Sequence, residues 1–382
     1  MPHRSWDGTG DADGPDGTAG DAAAGRVPRG RRRRVVRGLA WGAAAVVLLS
    51  GAAAGYVYTR FDHNIAGVDI DAALGGDRPE DVPNGSLDLL VLGSDSRSGE
   101  NARYGRKQAR SRSDTAMVVH LHRGHRRASV VSIPRDTLVD RPACRRASGD
   151  TAPPARHRMF NEAYATGGPA CAVKTVEHLT GIRMDHYLEV DFSGFRKLID
   201  QLGGVEITTS RPLRDRDAHL NLPPGRHTLD GEQALGLVRT RKAIGDGSDL
   251  GRIQLQQLFV KALVRHVREM ELFDNPGRLY RLADTATSAL TTDADLASVR
   301  ALAELGRRLR SLDDDGVTMA TLPVAYDPRN PSRVVPLEKR ADRVWGALRH
   351  DRPIPRSALK GTADDQTDIG DVVRRGHGGG RG

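Results

Sequence analysis

The longest apolar run of the chain lies near its N-terminus. Between Arg37 and Arg60 stand 22 residues without a charge, Gly38 to Thr59, with Ala43 to Leu49 wholly apolar. As a helix at ~1.5 Å per residue the run covers ~33 Å, enough for a hydrocarbon core of ~30 Å. The pattern predicts one transmembrane helix over 38–59. Arg31 to Arg34 and Arg37 flank its start, which predicts a cytoplasmic N-terminus, an extracytoplasmic bulk and single-pass insertion in the cell membrane. A cleaved signal peptide is the alternative, with Ala52 to Ala54 near a cut, but 37 residues ahead of the apolar run are long for one.

Beyond this run the apolar stretches are short and change period. Leu87 to Leu92 reads as a buried strand, broken by Gly93. Thr115 to Leu121 and Ala128 to Ile133 read as two more, joined by a hairpin loop over Arg123 to Arg127. His186 to Val190 is a strand; Asp191 then caps a helix from Phe192 to Leu202, which Gly203-Gly204 ends before a strand at Val205 to Ile207. Asp230-Gly-Glu-Gln233 has capping-box spacing and opens a helix through Leu237. A helix from Leu250 to Leu263 carries Ile253, Val260, Leu263 and Val267 as its predicted buried stripe. An amphipathic helix over 296–312 and a strand from Val317 to Leu322 follow. The alternation predicts an α/β domain.

Composition sharpens the domain plan. The chain is 38% hydrophobic and 4% aromatic with 43 Gly and 20 Pro, which excludes a multi-span membrane protein, a collagen-like fibre and a cysteine scaffold. The net charge of +9 is uneven: residues 1–25 hold five Asp and one Arg, and residues 26–37 hold seven Arg and no acid. The basic excess is therefore partly a membrane flank, and nucleic acid is not called for as a partner. The expected plan is a disordered cytoplasmic tail over 1–37, the span 38–59, a juxtamembrane linker over 60–84, a folded extracytoplasmic domain over 85–350 and a disordered tail over 351–382. Cys144 and Cys171 are the only cysteines, and in an oxidising compartment they are expected to form a disulfide closing an Arg/Pro/Ala-rich loop.

The candidate chemistry sits at strand ends. The hairpin makes the second and third strands antiparallel, so Arg135 and Asp136, after the third, come near Arg112 and Asp114, before the second. If the first strand also runs opposite to the second, Asp95 and Arg97 reach the same edge. Clustered carboxylates repel unless a cation or arginines neutralise them. Downstream, Arg239 and Arg241 follow the capped helix, and Asp249, Arg252 and Gln256 share one face of the next helix by i, i+3, i+7 spacing. Planar guanidinium forks suit phosphate oxygens.

In this order the motifs resemble the LytR-CpsA-Psr family of bacterial cell-envelope phosphotransferases. They are Leu-Gly-Ser-Asp95-Ser-Arg97, Arg112-Ser-Asp114-Thr, Ser-Ile-Pro-Arg135-Asp136, Asn161-Glu-Ala-Tyr164 with Gly167-Gly168, Val-Asp191-Phe-Ser-Gly-Phe, Leu-Asp-Gly231-Glu-Gln-Ala, Val-Arg239-Thr-Arg241 and Asp249-Leu-Gly-Arg252 with Gln256. The resemblance implies an α-β-α sandwich with a central mixed sheet, binding a polyprenyl pyrophosphate-linked glycan with its lipid tail in an apolar groove. It implies transfer of the glycopolymer onto a peptidoglycan hydroxyl with release of polyprenyl phosphate. By the same resemblance Asp95 and Asp114 hold Mg²⁺ (Mn²⁺ as a substitute). Arg112, Arg135, Arg239, Arg241 and Arg252 hold the pyrophosphate, with Gln256 nearby and Arg97 counted among the substrate contacts. Asp249 is the first candidate for the base that takes the acceptor proton, and Asp136 the second.

Two other classes compete. A non-enzymatic, membrane-anchored binder of anionic polyprenyl-phosphate lipid or envelope polymer needs the arginines but neither Asp95 nor Asp114. A membrane-tethered transcription regulator is opposed by a cytoplasmic part of only 37 residues without a helix-turn-helix pattern. His120, His122, His125, His157 and His178 read as scattered rather than spaced as metal ligands.

Overall fold

A computed structural model describes residues 48, 51–52, 55–94, 113–146, 148–244, 249–270, 276–313, 315–362 and 373–374. The chain divides into Met1–Tyr56 and Val57–Gly382. In the first unit the few described residues are helical. Most of the predicted span 38–59 lies outside the described residues, and among the described residues no helix is long and apolar enough to cross a membrane.

The second unit opens with helical residues 57–64 (α1), then β1 (Ala66–Val68) and α2 (Asp71–Leu74). Next come β2 (Leu87–Ser94), β3 (Ser113–Leu121), β4 (Ala128–Ile133), β5 (Leu138–Arg141), β6 (Cys144–Arg145), β7 (Thr151–Ala152) and β8 (Ala155–Met159). The chain continues through α3 (Asn161–Thr180), β9 (His186–Asp191), α4 (Phe192–Leu202) and β10 (Val205–Thr209). Then follow β11 (Leu213–Asp215), β12 (Leu220–Leu222), β13 (Gly225–Leu229), α5 (Gly231–Arg239) and α6 (Asp249–Glu269). The remainder holds α7 (Pro276–Ala289), β14 (Leu290–Asp293), α8 (Val299–Arg310), β15 (Val317–Thr321), α9 (Glu338–Arg349) and α10 (Arg356–Leu359).

The central sheet is mixed and has seven strands in the order β1-β14-β9-β2-β3-β4-β15. β2 and β4 both run antiparallel to β3, while β9 is parallel to β2. Strand alternation sends Leu90, Leu92, Val118 and Val131 to one face, where they pack with Val173 and Val176 of α3 and Val344, Trp345 and Leu348 of α9. Leu89, Leu121 and Ala128 face the other way and meet Leu305 of α8. Helices on both faces make the α-β-α layering. Burying each such large apolar side chain contributes about 1.5–3 kcal/mol, which is why these runs, and not the Gly-rich ones, define the domain.

Several boundaries differ from the sequence reading. Residues 60–84, expected as a linker, belong to the folded unit: β1 pairs with β14, and Phe61, Ile65, Ile70 and Leu74 are buried. Residues 351–362, expected as tail, pack as well, with Ile354 and Ala358 buried, so the folded unit extends through Thr362. The short edge pieces β1 and α10 are too brief to show a period in sequence; the core they touch defines them. α7 and β14 were not foreseen either, because Leu290-Thr-Thr-Asp293 carries little apolar content. On α6 the side chains most deeply buried are Leu250, Ile253, Leu255 and Phe259, whereas Val260, Leu263 and Val267 are only half-buried.

The segment between the cysteines is ordered structure rather than loose loop. It forms β6, β7, β8 and the first turns of α3, and a disulfide joins Cys144 to Cys171. Gly167 breaks α3 beside it, and a Cβ there would sit 2.6 Å from the Arg145 carbonyl oxygen, so the close approach of helix and strand requires glycine.

Candidate functional site

The C-terminal ends of β2, β4 and β9 and the start of β3 meet at one edge of the sheet. The register slips between Gly93 and Ser94, pairing Ser94 with Ser113, and this irregularity turns the strand ends where Asp114 begins its course. Asp95, Arg97 and Arg112 lie outside the described residues. Asp114, Arg135, Asp136, Arg239, Arg241, Asp249, Arg252 and Gln256 are all described.

Arg135 stands on the turn after β4. Its backbone N–H donates to Asp249 Oδ2 at 3.4 Å, and its carbonyl accepts from the Asn161 N–H at 3.1 Å, so α3 and α6 grip the turn from two sides. Its guanidinium pairs with Asp114 and lies 3.5 Å from Asp136 Oδ2 and 3.6 Å from Asp249 Oδ1. Burial alone would lower the Arg135 pKa; the Asp114, Asp249 and Asp136 carboxylates outweigh it and keep the group charged.

Arg252, buried on α6, pairs with Asp249 one helical turn earlier and donates to the Asp114 carbonyl at 2.9 Å. Arg241 approaches Asp249 Oδ1 at 3.4 Å. The Arg239 guanidinium lies over the Phe192 ring, 4.7 Å from its centre. Gln256 donates to Thr115 Oγ1 at 3.1 Å and to the Val238 carbonyl at 2.8 Å, tying α5, α6 and β3 together. Three guanidiniums, of Arg135, Arg241 and Arg252, thus meet the three carboxylates of Asp114, Asp136 and Asp249 in the described part of the site. Burial holds the Asp136 carboxyl above the ordinary aspartate range; Arg135 opposes this and Asp249 adds to it.

Asp114, Arg135, Arg239, Arg241, Arg252 and Gln256 line a cavity of ≈ 350 Å³ whose other walls are largely apolar, with Met117, Phe195, Leu235, Phe259, Val260 and Leu263 among them. Arg252 Nε and Gln256 Oε1 are buried there without a hydrogen-bond partner among the described residues. Buried polar atoms are normally satisfied, so two orphans at one cavity point to a ligand that supplies an acceptor and a donor.

Two supporting carboxylates escaped the sequence reading. Asp215 accepts from Thr240 Oγ1 at 2.6 Å and from the backbone N–H of Arg241 and Lys242 at 3.3 Å, which holds the turn carrying Arg241. Burial pushes its pKa up, but these hydrogen bonds prevail and hold it below the ordinary range. Glu189, buried behind the strand ends, accepts from the Tyr164 hydroxyl at 2.8 Å and from Tyr187. A charged residue inside the apolar strand His186-Tyr-Leu-Glu-Val190 was the available signal for it.

The fold and site define a mixed α/β domain in which a group of arginines opens onto an apolar cavity. The chain belongs to the LytR_cpsA_psr family, whose model matches residues 57–350. It is 34% identical over 252 residues to the probable cell wall biosynthesis protein LcpB of Corynebacterium glutamicum, covering 63% of this chain and 56% of that protein. It is 30% identical over 308 residues to the cell wall biosynthesis protein LcpA of the same organism, covering 73% and 58%. The chain thus spans little more than half the length of these two relatives. Among solved structures, the LytR-Csp2A-Psr enzyme from Actinomyces oris superposes with a TM-score of 0.56 at 25% identity, over 74% of this chain and 95% of that one. Bacillus subtilis TagT bound to LIIa-WTA superposes with a TM-score of 0.55 at 26% identity, over 74% and 98%.

Proposed function

We propose that this protein transfers a glycopolymer from a polyprenyl pyrophosphate carrier to a peptidoglycan hydroxyl during cell wall assembly. The observation that carries the reading is the continuity of the arginine cradle with the apolar cavity, which suits one molecule having a pyrophosphate head and a lipid tail. Relatives point the same way: Bacillus subtilis TagT is named a polyisoprenyl-teichoic acid–peptidoglycan teichoic acid transferase.

In this reading Arg135, Arg239, Arg241 and Arg252, with Arg112 and Arg97, bind and orient the pyrophosphate oxygens, and Gln256 fixes the junction with the lipid groove. The acceptor oxygen attacks the sugar-side phosphorus, the bond from that phosphorus to the bridging oxygen breaks, and polyprenyl phosphate leaves. The hydroxyl proton goes to a carboxylate. Asp136 suits that task better than Asp249, whose oxygens are taken by Arg252 and Arg241 while burial favours proton uptake by Asp136. Phosphoryl transfer of this kind depends on alignment and charge neutralisation more than on covalent help from protein.

The donor set suits a hard cation, since Asp114 lines the cavity with a carboxylate and, among the described residues, no thiol or imidazole does. Asp114 together with Asp95 would hold Mg²⁺, or Mn²⁺ in its place. When bound, the ion supplies positive charge to the pyrophosphate oxygens. The predicted anchor at 38–59 would keep the domain on the outer face of the membrane, beside a lipid-linked donor.

The test is release of polyprenyl monophosphate from a polyprenyl-pyrophosphoryl sugar, with Mg²⁺ or with EDTA. Metal-dependent release, lost in Asp114→Ala and Arg252→Ala, supports the transferase. Tight lipid binding without release, unchanged by Asp114→Ala, assigns the chain to passive binding instead.

A further inference from the structure

The far end of β3 carries a second cluster that the transfer chemistry does not use. His120 lies near the end of β3 and His122 just beyond it, two residues on, so both rings turn to the same side, and Asp351 follows the end of α9 to meet them. Asp351 Oδ1 is 3.2 Å from His120 Nε2 and 2.7 Å from His122 Nδ1, and the three ligand-type atoms lie within 4.8 Å of one another. Both histidines are buried, at 1% and 4% exposure. Asp351 adopts a left-handed backbone, φ 51°, which turns its carboxylate into the pair, and the Arg123 N–H steadies that carboxylate at 3.3 Å.

The outer nitrogens are also provided for. His120 Nδ1 is 2.8 Å from Asp88 Oδ1, and His122 Nε2 is 2.9 Å from Ser129 Oγ. Metal-bound imidazoles characteristically donate their remote N–H to a carboxylate or other oxygen, which fixes the tautomer. Here Asp88 and Ser129 accept those two protons, leaving His120 Nε2 and His122 Nδ1 with lone pairs turned toward Asp351. Without a cation, His120 must carry both ring protons to satisfy Asp88 and Asp351 together, a buried imidazolium. In a tetrahedral site with bonds of about 2.0–2.1 Å the ligand atoms stand about 3.3 Å apart; the His120–Asp351 pair at 3.2 Å already meets this, and the His122–Asp351 pair at 2.7 Å would open slightly to admit the ion.

We propose that His120, His122 and Asp351 form a Zn²⁺-type site that clips β3 to the end of α9, with Asp88 and Ser129 as its orienting partners. Two imidazoles and one carboxylate favour a borderline ion such as Zn²⁺ over Mg²⁺, and the partly exposed Asp351 leaves a fourth position open to water. The site is separate from the cradle: six residues of strand, about 20 Å, lie between Asp114 and His120. The sequence hid it because Asp351 stands 229 residues from His122.

The test uses the full-length chain in detergent, stripped with chelator and dialysed into excess Mg²⁺, then titrated with Zn²⁺ by calorimetry and followed by thermal unfolding. One equivalent of Zn²⁺ is expected to bind and to raise the unfolding midpoint. His122→Ala and Asp351→Ala are expected to weaken binding more than 100-fold, and Asp88→Asn by about 10–100-fold. Asp351→Ala truncates a partly exposed side chain after α9 and keeps the test sound if His122→Ala fails to fold. Co²⁺ bound in place of Zn²⁺ is expected to give four-coordinate visible absorption that Asp351→Ala abolishes. Zn²⁺ binding equal in wild type and Asp351→Ala, or none at all, overturns the site and leaves a hydrogen-bonded clamp.

Discussion

Arg252 Nη2 donates to the backbone carbonyl of Asp114 at 2.9 Å, joining residues 138 positions apart. The same guanidinium pairs with Asp249. One side chain therefore fixes the start of β3 relative to α6 and, on the reading above, also holds the pyrophosphate.

Arg252→Lys keeps the charge but loses the planar fork. Release of polyprenyl phosphate is expected to fall about 100-fold, equivalent to about 2.7 kcal/mol in the barrier, with the circular dichroism unchanged. Arg252→Ala removes the ion pair to Asp249, which keeps Arg241 and Arg135, and is expected to cost about 1.5–3 kcal/mol of stability as well, read from denaturant unfolding. A lysine variant working within threefold of wild type would argue against a bidentate role.

Asp136 ties activity to pH. Burial raises its native pKa above the ordinary 3.8, so the protonated form is favoured in the folded state. That contribution is fully present below 3.8 and is lost as pH rises through the raised value. Asp136→Asn, which cannot ionise, is expected to raise the unfolding midpoint at pH 7 while cutting transfer about 100-fold or more. A pH–rate profile should lose its acid limb in this variant; an unchanged limb assigns the proton to another group.

The groove predicts lipid-length selectivity. Leu263 is half-buried on the cavity wall, so Leu263→Trp fills space with little strain on the core. KM for a long-chain donor is expected to rise about tenfold, the loss of about 1.4 kcal/mol of apolar contact, while a short-chain donor keeps its KM. Equal effects on both donors would place the lipid elsewhere.

The disulfide closes a separation of 27 residues. By loop-closure entropy it contributes about 3–4 kcal/mol. Cys144→Ser with Cys171→Ser is expected to lower the unfolding midpoint by about 10 °C in calorimetry. An unchanged midpoint would show that β6, β7 and α3 hold by packing alone.

By itself the sequence determined the strands and helices whose periods are long or whose caps are explicit. β4 and α4 fall on their predicted bounds, and the Asp230–Gln233 capping box forms as its spacing requires. The hairpin over 123–127 also placed Arg135 beside Asp114, because a short turn leaves antiparallel pairing as the only register. Short elements such as β1 and β14 were illegible, since three or four residues cannot show a period and only neighbouring strands select them. Tertiary structure alone decided which acids serve which arginines: Asp249 could be placed near Arg252 by helix spacing, but its approach to the Arg135 backbone spans 114 residues. The same holds for His120, His122 and Asp351. Local pattern reports on neighbours along the chain, whereas a site gathers charges that only the closing of the sheet and its helices brings within reach of one another.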